Sequence, residues 1–369
     1  LEVTGLLGSL WEFVRYGLTG WEWPAILAFT LATTHLTIIG VTVYLHRCQA
    51  HRALELHPLV SHPLRFWLWM STGMVTKEWA AIHRKHHAKC ETEDDPHSPQ
   101  TRGIETVLWR GAELYREAAK DKELVARYGH GTPDDWIEHN LYTRHSALGV
   151  SILLIIDVML FGVIGAAVWA IQMAWIPMLA AGVINGIGHY WGYRNFKSPD
   201  TSTNISPWGI LIGGEELHNN HHTFATSPKL SSKWYEFDIG WLYIKLLSYV
   251  GLAKPRALPE AMLLDPSRTQ IDADTVEAVL TYKYELMATL AKAFHRDAKQ
   301  SAVKTSVEKW AELRGEFESM WSRRQMSVEQ AVHGLQAWCA KAESSGSAAL
   351  AEFAQRIRMA IPRRAVVAS

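Results

Sequence analysis

Three histidine clusters set the chemistry open to this chain: HRCQAH at 46–51, HRKHH at 83–87 and HNNHH at 218–222. In the second and third, histidines at i, i+3 and i+4 share one helix face, within about 100° of one another. His83, His86 and His87, and likewise His218, His221 and His222, therefore aim three imidazoles into one volume. His46 and His51 stand five apart. On an ideal α-helix that is about 140°, so their convergence requires a helix end or a kink. Neutral imidazole is the commonest biological metal ligand, and eight of them exceed the needs of one ion. The pattern points to two ions.

The remaining histidines divide by context. His57, His62, His130, His139, His145, His295 and His333 read as solvated or locally hydrogen-bonded. His35 lies in an apolar run and suits a helix-packing donor. By spacing alone His189, at the end of another run, reads as a packing or interfacial residue. His97 follows Asp94-Asp95-Pro96 and is a supporting candidate. Glu78, Asp94, Asp95, Glu215 and Glu216 are placed to accept the second N–H of ligating imidazoles, which fixes tautomer and orientation. Cys48, Cys90 and Cys339 are scattered without a CxxC pair, which argues against a disulfide framework or a structural zinc knuckle.

These side chains must be positioned by elements that the composition places in a membrane. Of 369 residues 48% are apolar, and Lys+Arg and Asp+Glu both number 37. Zero formal charge argues against nucleic acid as a partner. Seventeen Trp favour a boundary between lipid and water. Residues 25–45 form an uncharged apolar run of 21, about one bilayer core as a helix. Residues 147–188 carry one charge, Asp157, in 42 positions, and predict a hairpin of two spans turning near 169–175, with Pro177 as a kink. Residues 56–75, interrupted by Pro58, His62, Pro63 and Arg65, predict an interfacial helix, with a span as the alternative, and residues 6–21 with Glu12 and Arg15 also read as interfacial. Basic residues after the first run, around 77–89 and beyond 190 put the clusters on the cytoplasmic side. No signal peptide is visible.

The expected fold is an all-α integral membrane helical bundle of three or four spans with a cytoplasmic histidine-bearing cap and a C-terminal helical tail. Residues 1–255 form the membrane-embedded part. Residues 256–369 form a charged cytoplasmic tail, with cap chemistry at 272–275 and helices near 276–299, 303–323 and 328–342.

From about residue 34 to 254 the sequence resembles the integral-membrane fatty acyl desaturases of the stearoyl-CoA desaturase type, in a bacterial form. HRCQAH at 46–51, EWAAIHRKHH at 78–87, DDPH at 94–97, NGIGHYWGYRNF at 185–196 and GGEELHNNHH at 213–222 carry the resemblance. It implies two irons held by nine histidines, with one asparagine acting through a water. The ligands would be His46, His51, His83, His86, His87, His189, His218, His221 and His222, with Asn185 as the water-mediated member. It singles out His189, which the three clusters alone do not. Two features depart from the animal members: only one span is clear before the first cluster, and the tail has no counterpart.

The resemblance implies desaturation of a fatty acyl chain, as acyl-CoA and near the delta-9 position, with molecular oxygen as co-substrate. Abstracting hydrogen from an unactivated methylene is beyond any side-chain acid or base, so a cofactor carries it. The chain lacks a GxGxxG loop, a CxxCxxC run and a haem motif, which implies an external donor such as a ferredoxin and its reductase, or a cytochrome. Trp79, Arg84, Tyr193 and Arg194 lie within or beside the motifs as substrate contacts. Thr34 and Ile38, four apart before His46, are placed to close the far end of an acyl tunnel. The setting is a multi-pass protein of the bacterial inner membrane. Hydroxylation, ketolation or decarboxylation on the same scaffold competes with this reading. So does a metal carrier, which should place its ligands within the spans.

Overall fold

A computed structural model of the chain describes residues 2–198, 200–256, 258, 263–283, 286, 287, 289, 290, 304–320 and 327–361. It divides into two compact units, residues 1–194 with 200–256, and residues 195–199 with 257–369.

The first unit is mainly helical. Helix α1 (Glu2–Tyr16) precedes α2 (Trp23–Ile39), which runs without a break into a π-helical segment, Gly40–Ala50. Pro24 opens α2, where its missing N–H is no loss. The combined helix Trp23–Ala50 has 28 residues, and a second, Val163–Ile187, has 25; among the described residues these two are long and apolar enough to cross a bilayer. The latter is α9 (Val163–Ile176) continued by a π-helical segment, Pro177–Ile187. Helix α8 (Ser146–Phe161) is apolar but has only 16 residues. Two helices of spanning length and one shorter apolar helix thus stand where three or four spans are expected.

The hairpin also turns earlier than the tryptophans suggested. The chain reverses at Gly162, whose φ of 63° favours glycine. Trp169 is not in the turn; its Nε1 donates to the Val150 carbonyl across the pair, 3.0 Å away. Pro177 begins the π-helical segment rather than marking the reversal.

Between the first long helix and the hairpin lie α3 (Pro58–Thr72) and α4 (Thr76–Lys89). Helix α3 packs Leu64 and Leu68 against Ile38, Val41, Tyr44 and Ile176. It also buries Arg65, which pairs with Asp135 at 2.6 Å. After the short α5 (Pro99–Arg102) come α6 (Ile104–Lys120) and α7 (Lys122–Tyr128). A Cβ on Gly111 of α6 would stand 2.5 Å from the Ala181 carbonyl oxygen, so glycine permits the close approach of α6 to the second π-helical segment. Helix α10 (His218–Thr223) and α11 (Ile239–Tyr249) follow. Strands β1 (Leu54–Leu56) and β4 (Ala253–Pro255) pair antiparallel, and β2 (Trp208–Gly209) pairs parallel with β3 (Phe237–Asp238). His35 does act as a packing group, with Nε2 2.6 Å from the Tyr243 hydroxyl of α11.

The second unit contains α12 (Ala273–Thr281), α13 (Lys304–Met320), α14 (Val328–Glu343) and α15 (Ala348–Arg358), with β5 (Leu263–Leu264) antiparallel to β6 (Ala360–Ile361). Asp272 and Thr275 cap α12 reciprocally, as their spacing predicts. Its core gathers Phe317, Trp338 and Phe353, and the Trp338 indole N–H donates to the Leu313 carbonyl at 2.8 Å. The expected helices near 276–299 and 303–323 run partly through 291–303 and 321–326, which lie outside the described residues.

Candidate metal centre

Four elements bring the histidines together. The π-helical segment Gly40–Ala50 resolves the awkward spacing of His46 and His51. Its hydrogen bonds span five residues, and the His51 N–H itself donates to the His46 carbonyl at 3.0 Å. Residues five apart then stack on one face. Helix α4 carries His83, His86 and His87, and α10 carries His218, His221 and His222. The side-chain oxygen of Asn204 receives the N–H groups of Asn219 and Asn220 and so holds the start of α10. His189 follows the second π-helical segment; its carbonyl accepts from Gln100 and Thr201 at 3.0 and 2.8 Å.

The nine rings meet edge to edge through one kind of atom. His46 Nε2 lies 3.1 Å from His221 Nε2, and His51 Nε2 lies 2.7 Å from His83 Nε2. His189 Nε2 stands 3.2 Å from His86 Nε2 and 3.0 Å from His218 Nε2. His87 Nε2 reaches His221 Nε2 at 2.9 Å. His222 Nε2 is buried without a hydrogen-bond partner. The nitrogens fall into two sets, His46, His51, His83 and His221, and His86, His189, His218 and His222, each within 4.8 Å of one another. His87 lies at the edge of both, beside His221 and stacked on His222 with centroids 4.3 Å apart.

That geometry fits metal. Two neutral imidazoles cannot both point a lone pair at the other across 3 Å without repulsion. Metal–nitrogen bonds of about 2.1 Å at roughly right angles, however, put neighbouring ligand atoms about 3 Å apart. Burial, followed by the neighbouring imidazoles, pushes His83, His87, His218, His221 and His222 well below the ordinary histidine value. This favours the neutral form that binds metal.

Carboxylates stand behind the ring, on the Nδ1 side. Asp95 meets His86 Nδ1 at 3.0 Å, Asp200 meets His222 Nδ1 at 3.1 Å and Glu91 meets His189 Nδ1 at 3.5 Å. Glu215 lies 2.9 Å from His46 Nδ1 as an ion-pair contact, at an angle outside hydrogen bonding. Burial alone would raise the Asp95 carboxyl, but the hydrogen bond and charge of His86 hold it well below the usual range. At His86 and His222 the carboxylate fixes Nδ1–H outward and leaves the Nε2 lone pair facing inward; the Nδ1 atoms of His46, His218 and His221 are buried without a hydrogen-bond partner. Glu91, at φ 62°, and Arg52, at φ 50° beside His51, are the described non-glycine residues with positive φ. Such backbone strain gathers at functional sites.

Three of the carboxylates expected here do other work. Glu216 accepts the backbone N–H groups of Ile212 and Gly214 and shapes the loop before α10. Asp94 pairs with Lys89 at 2.7 Å, away from the rings. Glu78 lines a cavity rather than backing a histidine. Glu91 and Asp200 were missed, because neither lies within a histidine motif in sequence. His97 is buried against His86, ring centroids 4.4 Å apart.

A cavity of about 550 Å³ opens onto His46, His83, His218 and Asn185. Trp79 lines it and stacks on His83 at 5.0 Å. Val41, Met173 and Ile176 contribute apolar wall, and Arg116, Lys120 and Lys122 contribute cations. Other expected substrate contacts lie elsewhere. Thr34 is buried and its hydroxyl donates back to the Thr30 carbonyl, while Ile38 packs in the helix core; neither lines the cavity. Both face helix neighbours because the cavity begins one turn nearer the histidines, at Val41. Arg84 is spent on the carbonyls of Gln49, Ala50, Tyr128 and His130. Tyr193 donates its hydroxyl to Glu236 at 2.8 Å, and exposed Arg194 is not among the lining residues.

The model of the fatty acid desaturase family matches residues 21–238. The chain is 27% identical over 242 residues to the Delta-9 acyl-lipid desaturase 2 of Arabidopsis thaliana, covering 64% of this chain and 75% of that one. It is 28% identical over 267 residues to the sn-1 stearoyl-lipid 9-desaturase of Synechocystis, covering 70% and 78%. The Delta-9 desaturase-like 3 protein of Arabidopsis thaliana is 30% identical over 243 residues, covering 65% and 78%.

Proposed function

The chain belongs to the fatty acid desaturase family, and from that premise we propose that it introduces a double bond between C9 and C10 of a membrane acyl lipid at two histidine-bound irons. The observation that carries the metal assignment is the convergence of Nε2 atoms at about 3 Å with carboxylates on the opposite ring edge. Iron, when bound there, supplies the oxidising power with molecular oxygen as co-substrate. The nine histidines would hold it, with Asn185, which lines the cavity, as the water-mediated member.

The protein's own contribution is placement. Val41, Trp79, Met173 and Ile176 give the acyl chain an apolar wall and exclude water, while His46, His83 and His218 form the cavity's inner end. Asp95 and Asp200 hold His86 and His222 in one tautomer, and Glu91 and Glu215 set charge beside His189 and His46. Two of the named relatives are an acyl-lipid and a stearoyl-lipid desaturase, which supports a lipid substrate. Arg116, Lys120 and Lys122 favour an anionic headgroup, and with it acyl-CoA as the second reading. A multi-pass setting with the histidines on the cytoplasmic side suits both, and the tail from 256 onward is proposed as a separate cytoplasmic domain.

Expression in a host lacking this activity, followed by mass spectrometry of its lipids, tests the reading. New C9 unsaturation in intact lipids supports it; lipids unchanged in unsaturation or carrying added oxygen refute it. Val41→Trp narrows the cavity and should shift turnover toward shorter acyl chains, whereas Thr34→Val should leave the length profile alone. Turnover across a series of saturated chain lengths checks both. Arg116→Ala should raise the apparent KM roughly 10-fold, by loss of a charge-assisted contact of about 1.5 kcal/mol, and leave kcat unchanged.

A further inference from the structure

The proposed reaction needs electrons from outside the chain, and the histidine centre has two approaches. The cavity reaches it through His46, His83 and His218 and includes neither His51 nor His87. As whole residues, seven of the nine histidines are at most 9% exposed, whereas His51 and His87 are half-buried and lie outside the cavity's lining. These two stand side by side, centroids 4.7 Å apart. The second approach, on the side of these two residues, is therefore left uncovered by an occupant of the cavity.

That approach is framed by arginines. Arg52 follows His51, and Arg84 lies one turn before His87 on α4. Arg52 donates to the His130 carbonyl at 2.8 Å, and Arg84 donates to the same oxygen at 2.8 Å. Carbonyl oxygens, not carboxylates, satisfy both guanidiniums, so their charge is not neutralised locally. Exposed Arg127 lies over the Tyr128 ring on α7. Exposed Arg256 donates its backbone N–H to the Ala53 carbonyl at 2.8 Å, beside Arg52. The acidic neighbours are Glu55, which faces Lys254 across the β1–β4 pair, and exposed Glu123, one turn before Arg127 on α7.

We infer that Arg52, Arg84, Arg127 and Arg256, around His51 and His87, form the docking face for an acidic one-electron carrier protein. The inference rests on the desaturase reading and adds the partner's chemistry and place. Balance fixes the demand: R–CH2–CH2–R′ with O2, two electrons and two protons gives R–CH=CH–R′ and two waters. Two of the four electrons reducing oxygen leave the substrate with its two hydrogens. The other two arrive singly from the carrier. A face on which cations outnumber carboxylates speeds encounter with an acidic partner and makes it salt-dependent.

The test uses the full chain in lipid nanodiscs and a plant-type [2Fe–2S] ferredoxin as probe. Binding is measured at low and high salt for wild type, the Arg127→Glu/Arg256→Glu double variant, and Lys120→Glu at the cavity. The double variant should bind roughly 10-fold more weakly at low salt and converge with wild type at high salt, with iron content unchanged. Lys120→Glu should bind like wild type. No ferredoxin binding by wild type, equal affinity in the double variant, or an equal loss in Lys120→Glu would each overturn the docking face. Turnover driven by dithionite bypasses docking: its absence in wild type would refute the desaturase reading and leave the binding result standing on its own.

Discussion

His189→Ala is expected to lower desaturation by more than about 100-fold while the protein still inserts and folds. His189 is fully buried, and its Nε2 joins His86 and His218 at 3.2 and 3.0 Å. It enters from the end of the second π-helical segment, so no cluster histidine can take its position. Removing it opens one set of four and leaves room for water in place of a nitrogen ligand. Supporting groups alone change metal affinity or activity by about 10–100-fold, and loss of a ligand exceeds that. Iron per chain, measured on purified protein, should fall with activity. A variant that keeps both iron and turnover would remove His189 from the ligand set.

Asp200→Asn is the second large effect. The Asp200 carboxylate faces His222 Nδ1 at 3.1 Å, while its other oxygen accepts from Ser202. The amide keeps the size but loses the charge, and its NH2 can turn toward the Nδ1–H it should receive. Iron affinity should drop about 10–100-fold, read as iron lost to a chelator over time. Glu216→Gln is the comparison. Its carboxylate binds backbone N–H groups and touches no imidazole, so iron retention should match wild type. Equal retention in both variants would mean that Asp200 does not hold the ring.

The histidines of α4 and α10 were legible because i, i+3, i+4 spacing converges on any helix. His46 and His51 were legible only as a problem. Hydropathy does not reveal a π-helical segment, and the five-residue hydrogen bond that aligns them is a tertiary result of packing against α3 and α4. The supporting carboxylates show the limit of proximity in sequence. Asp95 and Glu215 were found because they border motifs, but so does Glu216, whose backbone partners no spacing rule predicts. Glu91 and Asp200 reach His189 and His222 across the fold. Thr34 and Ile38 were placed by distance along a helix, which gives height but not which neighbour a side chain meets. Trp169 and Trp175 suggest the hairpin's turn, while the reversal depends on one glycine, Gly162, at positive φ.

The most direct test of the central claim is a single turnover. Iron-loaded protein, reduced without oxygen and supplied with a stearoyl lipid, is exposed to one addition of oxygen, and the lipid is analysed by mass spectrometry that locates double bonds. The account predicts a chain lighter by two hydrogens with its double bond at C9, in proportion to iron pairs, and no oxygen in the lipid. A lipid that gains an oxygen atom, or stays saturated while the iron is oxidised, would contradict it.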